Sequence, residues 1–220
     1  MNTLIISTTL KDIVVILHNS KNEIYKKFIT GKNSGNYLPK TIQDILIESK
    51  TNLNSIENFC IDIGPGSFTG IRIAISTLQG ILINFPKKEV YTFFSSDVVN
   101  LSARKKYANY LKNKKTAVLK RARENAAYIS IYRGIRRIFG PQMVFEQKFE
   151  ELLNNCILLN EESSYFKEKN YLKNDILYTN IDEQAIIKVA LGNGKVKIKN
   201  LSPLYLQKPI AVENYEKNKL

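Results

Sequence analysis

Residues 61–72 read IDIGPGSFTGIR, and the reading of this stretch decides the fold. It leaves a short apolar run, turns through Gly64, Pro65, Gly66 and Gly70, and enters a helical pattern. Backbone N–H groups in such a turn, backed by a helix N-terminus, are a natural anion site. The spacing matches neither common phosphate motif. No Gly-Lys-Ser/Thr follows, and Gly64-x-Gly66 is followed by Gly70, one position beyond the dinucleotide pattern. The glycines serve equally well for a tight turn and close packing, with Ser67 or Thr69 capping the helix. Two readings therefore stand: a phosphate cradle, or the remains of one.

The helix after the turn, TGIRIAISTLQGILINF, carries Ile71, Ile75, Leu78 and Leu82 as one stripe, and Ile73, Ala74, Ile81 and Ile83 widen it. Beyond Arg72, Ser76, Thr77 and Gln79 it offers little to water. A helix apolar nearly all round is covered from several sides. The helix before it, LPKTIQDILIESK, has its own stripe in Leu38, Ile42, Ile45 and Leu46. Either these eight residues belong to a core, or the two stripes form one exposed patch that demands a partner. A two-fold homodimer is the simplest such partner.

Working outward, LIIST, DIVVILH and EIYKKFI predict three strands in a meander. FCIDI and EVYTFF predict two more, and SSDVVNLSARKK a third helix with a serine available as its N-cap. The order β-β-β-α-β-α-β-α belongs to a mixed sheet with flanking helices. From about residue 107 the pattern loosens into a second lobe. Strands are expected at TAVLKR, AAYISIYRG, RRIFG, MVFEQ, CILLN and DILY, and short helices at FEELLNN and EQAIIKVAL. The expected division is 1–106 and 107–220, with 202–220 packing back on the first lobe or trailing as a polar tail.

The chain of 220 residues has a net charge of +13. Residues 107–147 hold 9 basic and 2 acidic side chains, a net of +7. The surplus is densest from Arg104 to Arg137, where Glu124 is the only acid, and Arg104, Lys105, Lys106, Lys120, Arg121, Arg123, Arg136 and Arg137 lie there, interleaved with Tyr107, Tyr110, Tyr128 and Tyr132. Basic groups among aromatics suit an RNA-facing patch. The alternative is compositional drift in a chain crowded with Lys, Asn and Ile. Two cysteines in apolar runs, no stretch long enough to cross a bilayer and no basic leader predict a cytoplasmic protein.

Catalytic chemistry is hard to assemble. His18 is the single histidine, so neither a zinc site nor a Ser-His or Cys-His pair suggests itself. Asp62, inside an apolar strand, is the one acid near the glycine turn. The expectation is no catalytic set and no metal.

GPGSFTGIR, within IDIGPGSFTGIRIAISTLQGI, closely resembles the signature of the TsaB (YeaZ) family of bacterial tRNA-modification proteins. NSGNYLPKTI, RARENAAY and SPLYLQ resemble three further family segments in the same order. The resemblance implies an α/β fold of the actin-like (ASKHA, ribonuclease-H-like) kind with two lobes. It implies a non-catalytic scaffold that pairs with TsaD in forming threonylcarbamoyladenosine on tRNA, with the ATPase TsaE as a third component. The family contact is a bundle of the two helices described above, which favours the interface reading of Leu38, Ile42, Ile45, Leu46, Ile71, Ile75, Leu78 and Leu82. Gly64, Gly66, Ser67, Thr69 and Gly70 would then shape the turn, with no cofactor in the isolated chain. Nucleotide, if present at all, would lie in the assembled complex, near Arg72, and tRNA would be met through the complex. No membrane is implied. Ser7 stands where the family has aspartate, Asn33 where it has histidine, and Arg121 and Ala126 where it has acids. The rivals are an autonomous basic RNA-binding protein and an active phosphotransferase of the same superfamily.

Overall fold

The computed structural model describes residues 1–10, 12–30, 34–85, 87–160, 162–169 and 172–206, with the backbone alone at 34 and 35. Asn33 and the tail from 207 onward lie outside the described residues. The first lobe opens with the meander β1 (Asn2–Ser7), β2 (Ile13–His18) and β3 (Ile24–Ile29). Helix α1 (Leu38–Glu48), β4 (Ile56–Asp62), α2 (Phe68–Ile81), β5 (Glu89–Phe93) and α3 (Ser95–Lys106) follow. β2 pairs antiparallel to β1, while β4 runs parallel to β1 and β5 parallel to β4. β1 and β2 are almost continuously buried because both faces of this sheet are covered.

A short helix α4 (Ala108–Leu111) leads into the second sheet, made of β6 (Lys115–Arg123), β7 (Ala126–Arg133), β8 (Arg136–Phe145), β9 (Cys156–Leu159) and β10 (Ile176–Leu177). Helices α5 (Phe149–Leu152) and α6 (Glu162–Glu168) pack on one face of it. The chain then returns through α7 (Glu183–Leu191) to β11 (Lys195–Lys197), which pairs with β5 at the edge of the first sheet. Strand order is β11-β5-β4-β1-β2-β3 in one sheet and β10-β9-β6-β7-β8 in the other. Apart from β11, the two sheets share one plan. Each has an antiparallel three-strand meander whose first strand is flanked by two parallel strands. This doubled plan is the actin-like α/β arrangement.

Several expectations change in the structure. RRIFG and MVFEQ are one strand, β8, running through Gly140–Pro141 with a register shift against Ile129 and Ile131 of β7. Gly140 has φ +77°, and a Cβ there would lie 2.0 Å from the Ile129 carbonyl oxygen, so glycine is obligatory. Ser95 and Ser96 do not cap α3. Both are buried, and Ser95 bonds toward Thr9 while Ser96 accepts from Ser130. α6 and β11 had no counterpart in the sequence reading. Residues 183–205 pack on the first sheet rather than the second, where Leu204 N–H donates to the Ile63 carbonyl.

The two stripes are core. Leu38, Ile42, Ile45, Ile71, Ile75, Leu78 and Leu82 are all at most 5% exposed and pack with Leu4, Ile61 and Val90, with Leu46 partly buried beside them. Their function in this chain is to hold α1 and α2 on the first sheet. They are therefore not the solvent-facing docking stripe that the sequence suggests. On the opposite face α7 and Val98 of α3 meet Ile5, Val14, Ile16 and Phe93, while Val99 and Ala103 of α3 meet Val118, Tyr132 and Leu159 of the second sheet. α3 thus lies between the sheets and joins the lobes through apolar contact.

Candidate functional site

Parallel strands end together, and crevices outside their carboxyl ends are where α/β folds usually bind ligands. Here β1 ends at Ser7, β4 at Asp62, and β5 leads into Ser95. Asp62 is fully buried and its carboxylate accepts three hydrogen bonds. It accepts from the Ser7 hydroxyl at 2.7 Å, the Thr9 hydroxyl at 2.5 Å and the Gly64 N–H at 3.0 Å. Thr9 also contacts the Ser95 hydroxyl at 2.5 Å. Burial pushes the Asp62 carboxyl up from the usual range, opposed by Lys120 and these donors.

From the second lobe, Lys120 near the end of β6 reaches across and donates to the Thr9 carbonyl. Its side chain is buried, and desolvation lowers its pKa while Glu162 and Asp62 oppose the shift. Glu162 meanwhile accepts from the Arg121 N–H at 2.8 Å. A cavity of about 640 Å³ adjoins these groups, lined by Thr9, Leu10, Lys120, Asn160, Glu162 and Ile181 among others. The lobes are therefore pinned by an internal cation where the strand ends of both sheets converge.

The glycine turn closes on the first strand. A Cβ on Gly66 would lie 2.5 Å from the Thr9 Cβ, and one on Gly64 2.8 Å from the Ile71 Cδ1. Ser67 caps α2 by accepting from the Gly70 N–H at 3.3 Å, and Gly64 N–H is committed to Asp62. Thr69 is exposed and makes no cap, and the Arg72 guanidinium lies 4.0 Å over the Phe68 ring. The N–H groups of Gly64 and Gly70 are used inside the chain, and Gly64 and Gly66 leave no room for a Cβ. Among the described residues no group of three or more His, Cys, Asp or Glu comes together. His18 bonds Asn22 at 2.9 Å in a turn.

The eight basic residues read as one patch are scattered. Arg104 bonds the carbonyls of Leu111 and Lys114, Lys105 pairs with Asp182 at 2.6 Å, and Lys106 donates to the Tyr178 carbonyl. Lys120 is buried, and Arg137 lies 3.6 Å from Asp97 and over Phe94. Arg121 is exposed over Tyr165, Arg123 is half-buried, and Arg136 is exposed at the opposite end of the sheet from both. Of the four tyrosines, Tyr132 is fully buried and donates to Asp97, and Tyr107 donates to the Tyr178 carbonyl.

With this geometry in place, a family model described as TsaD, tRNA N6-adenosine threonylcarbamoyltransferase, matches residues 20–154. The tRNA threonylcarbamoyladenosine biosynthesis protein TsaB of Buchnera aphidicola subsp. Acyrthosiphon pisum (strain APS) is 26% identical over 192 residues, covering 80% of this chain and 84% of that protein. The chain belongs to the TsaB/YeaZ family. A second TsaB, of Buchnera aphidicola subsp. Baizongia pistaciae (strain Bp), is 39% identical over 69 residues, covering 31% of this chain and 30% of that relative. YeaZ from Pseudomonas aeruginosa shares the fold, with a TM-score of 0.69 at 15% identity over 93% of this chain and 100% of that one. Against the family pattern, Ser7 takes a hydrogen-bonding place beside Asp62, and Ala126 is buried in the second sheet.

Proposed function

We propose that this chain is a non-catalytic accessory subunit in the formation of threonylcarbamoyladenosine on tRNA. It docks on a TsaD partner in the cytoplasm and supports transfer of the threonylcarbamoyl group to the adenosine beside the anticodon, with TsaE joining the larger assembly. It holds no cofactor of its own. One observation carries the docking: the outward face of α2 has one charge where a solvated helix would carry several. Phe68, Thr69, Arg72, Ser76, Gly80 and, just past its end, Ile83, Asn84 and Phe85 are exposed, with Ile83 at 74%. Arg72 is the single charged residue of α2. A helix face with one charge and exposed aromatic and aliphatic groups at its ends suits a partner helix. The docking residues are thus the outer positions of α2, one turn round from the buried stripe. Engagement of Asp62 by three donors and insertion of Lys120 support the non-catalytic part.

Reconstitution tests it. TsaD and TsaE from the same source, a tRNA transcript and the threonylcarbamoyl donor are incubated with and without the chain, and the modified nucleoside is measured. Product should require both the chain and TsaD. Full product without the chain, or product from the chain alone, would contradict the proposal.

A further inference from the structure

The strand register of the second lobe assembles a basic rim that the linear sequence does not display. Lys115 of β6 stands opposite Arg133 of β7, and Arg133 opposite Arg136 of β8. Residues opposite each other in antiparallel pairs point to one face. These three cations therefore lie abreast, crossing two strand spacings, about 10 Å. Lys112 and Lys114 sit in the turn just before β6, and Arg104 fixes that turn by donating to the Leu111 and Lys114 carbonyls. Asn100 donates to the Gly134 carbonyl at 3.1 Å and so fixes the β7–β8 turn to the same helix. The rim is held at both ends by α3.

Its cations are uncommitted. Lys112, Arg133 and Arg136 are exposed and Lys115 is half-buried, and among the described residues none of the four side chains has a hydrogen-bond or ion-pair partner. Lys114 lies 3.4 Å from the centre of the Tyr110 ring, and Tyr110 is 45% exposed. Between Arg104 and Glu146 the one acid is Glu124, at the far end of these strands. Ile135, 71% exposed, forms the tip between the two arginines.

We propose that this rim is a phosphodiester-binding surface that holds the tRNA during modification. The partner class follows from the chemistry. Five clustered cations with no acid among them neutralise a polyanion, and the Tyr110 ring offers a face for a loosened base. The inference rests on the reading of the chain as a tRNA-modification subunit, which supplies the polyanion. It places the contact in the second lobe, away from the α2 face that meets the partner protein.

The test uses the full chain and a labelled tRNA transcript, with affinity followed across salt concentrations. One variant replaces Lys112, Lys114, Arg133 and Arg136 with glutamine. A control of equal charge replaces the exposed first-lobe residues Lys21, Lys188, Lys197 and Lys199. The rim variant should lose at least about tenfold in affinity at low salt. Its slope of log K against log[salt] should flatten by about 3 to 4, near one unit for each phosphate contact removed. The control should bind like the unaltered chain. Equal losses in both variants mean diffuse attraction by net charge and overturn the rim. So does absence of binding by the unaltered chain, or equal competition by duplex DNA. If the rim variant instead loses TsaD while keeping tRNA, the surface is a protein contact and the proposal fails. Loss of the subunit reading shows differently, as failure to associate with TsaD while tRNA binding persists.

Discussion

Leu78 lies in α2 and Ile83 just past its end, and replacing them should separate packing from docking. Leu78 is fully buried between α2 and the first sheet, among Leu4, Leu38 and Ile61. Leu78→Ala removes buried methyl groups from a closely packed site walled by strand and helix. The cost should be about 2–5 kcal/mol. At about 2–4 °C per kcal/mol for a chain of this size, the thermal midpoint falls by about 4–20 °C. Ile83 is 74% exposed, so Ile83→Asp should change stability by no more than about 0.5 kcal/mol. Thermal melts by circular dichroism give the first quantity, and sizing with TsaD below both midpoints gives the second. Leu78→Ala should be unstable yet bind while folded; Ile83→Asp should be stable yet fail to bind. The reverse pattern, Leu78→Ala stable but non-binding, would refute the division between core stripe and outer face.

Three other outcomes are expected. Asp182 caps α7, accepting from Ala185 N–H at 2.7 Å, and its hydrogen bond with Lys105 holds its carboxyl below the usual range. Asp182→Ala should cost about 1 kcal/mol at neutral pH. Because the folded pKa is depressed, that contribution is complete above the ordinary carboxylate range and is lost as pH falls through the depressed value, which denaturation of both proteins at several pH values would follow. Lys120→Met should destabilise by about 2 kcal/mol, since the Thr9 carbonyl loses a charged donor. In an Asp62→Asn background the cost should shrink by about 0.5 kcal/mol or more, and strict additivity in the double-mutant cycle would remove Lys120 from the account of Asp62. Burial pushes the Cys60 thiol up to about 12, so its reaction with a disulfide reagent at pH 8 should wait on unfolding; prompt labelling of native protein at Cys60 would contradict its placement.

The first lobe was largely legible because its signals are local. β1 through β5, with α1 to α3 between them, follow from β-branched runs, helical stripes and the glycine turn. Periodicity could not decide what covers the stripe of Ile71, Ile75, Leu78 and Leu82, because a sheet and a partner leave the same pattern in sequence. Chain return hid β11: Lys195–Lys197 reads as a solvated scrap until β5 offers it an edge. In the second lobe, Gly140–Pro141 looked like a break between strands, yet the irregular register absorbs it within β8. Lys120 counts in sequence as part of an RNA-facing basic patch, and only the other lobe makes it a buried cation. The basic rim was equally invisible. Lys115, Arg133 and Arg136 come together through pairing, while charges close in sequence, such as Arg136 and Arg137, face opposite sides of the strand.

Docking is the claim on which the account turns, and light scattering on a sizing column tests it most directly. The chain and TsaD from the same source, mixed at micromolar concentration, should elute as a one-to-one heterodimer that Ile83→Asp abolishes. Two folded proteins that elute separately at every ratio, or a heterodimer indifferent to Ile83→Asp and to charge placed at Ser76, would contradict it.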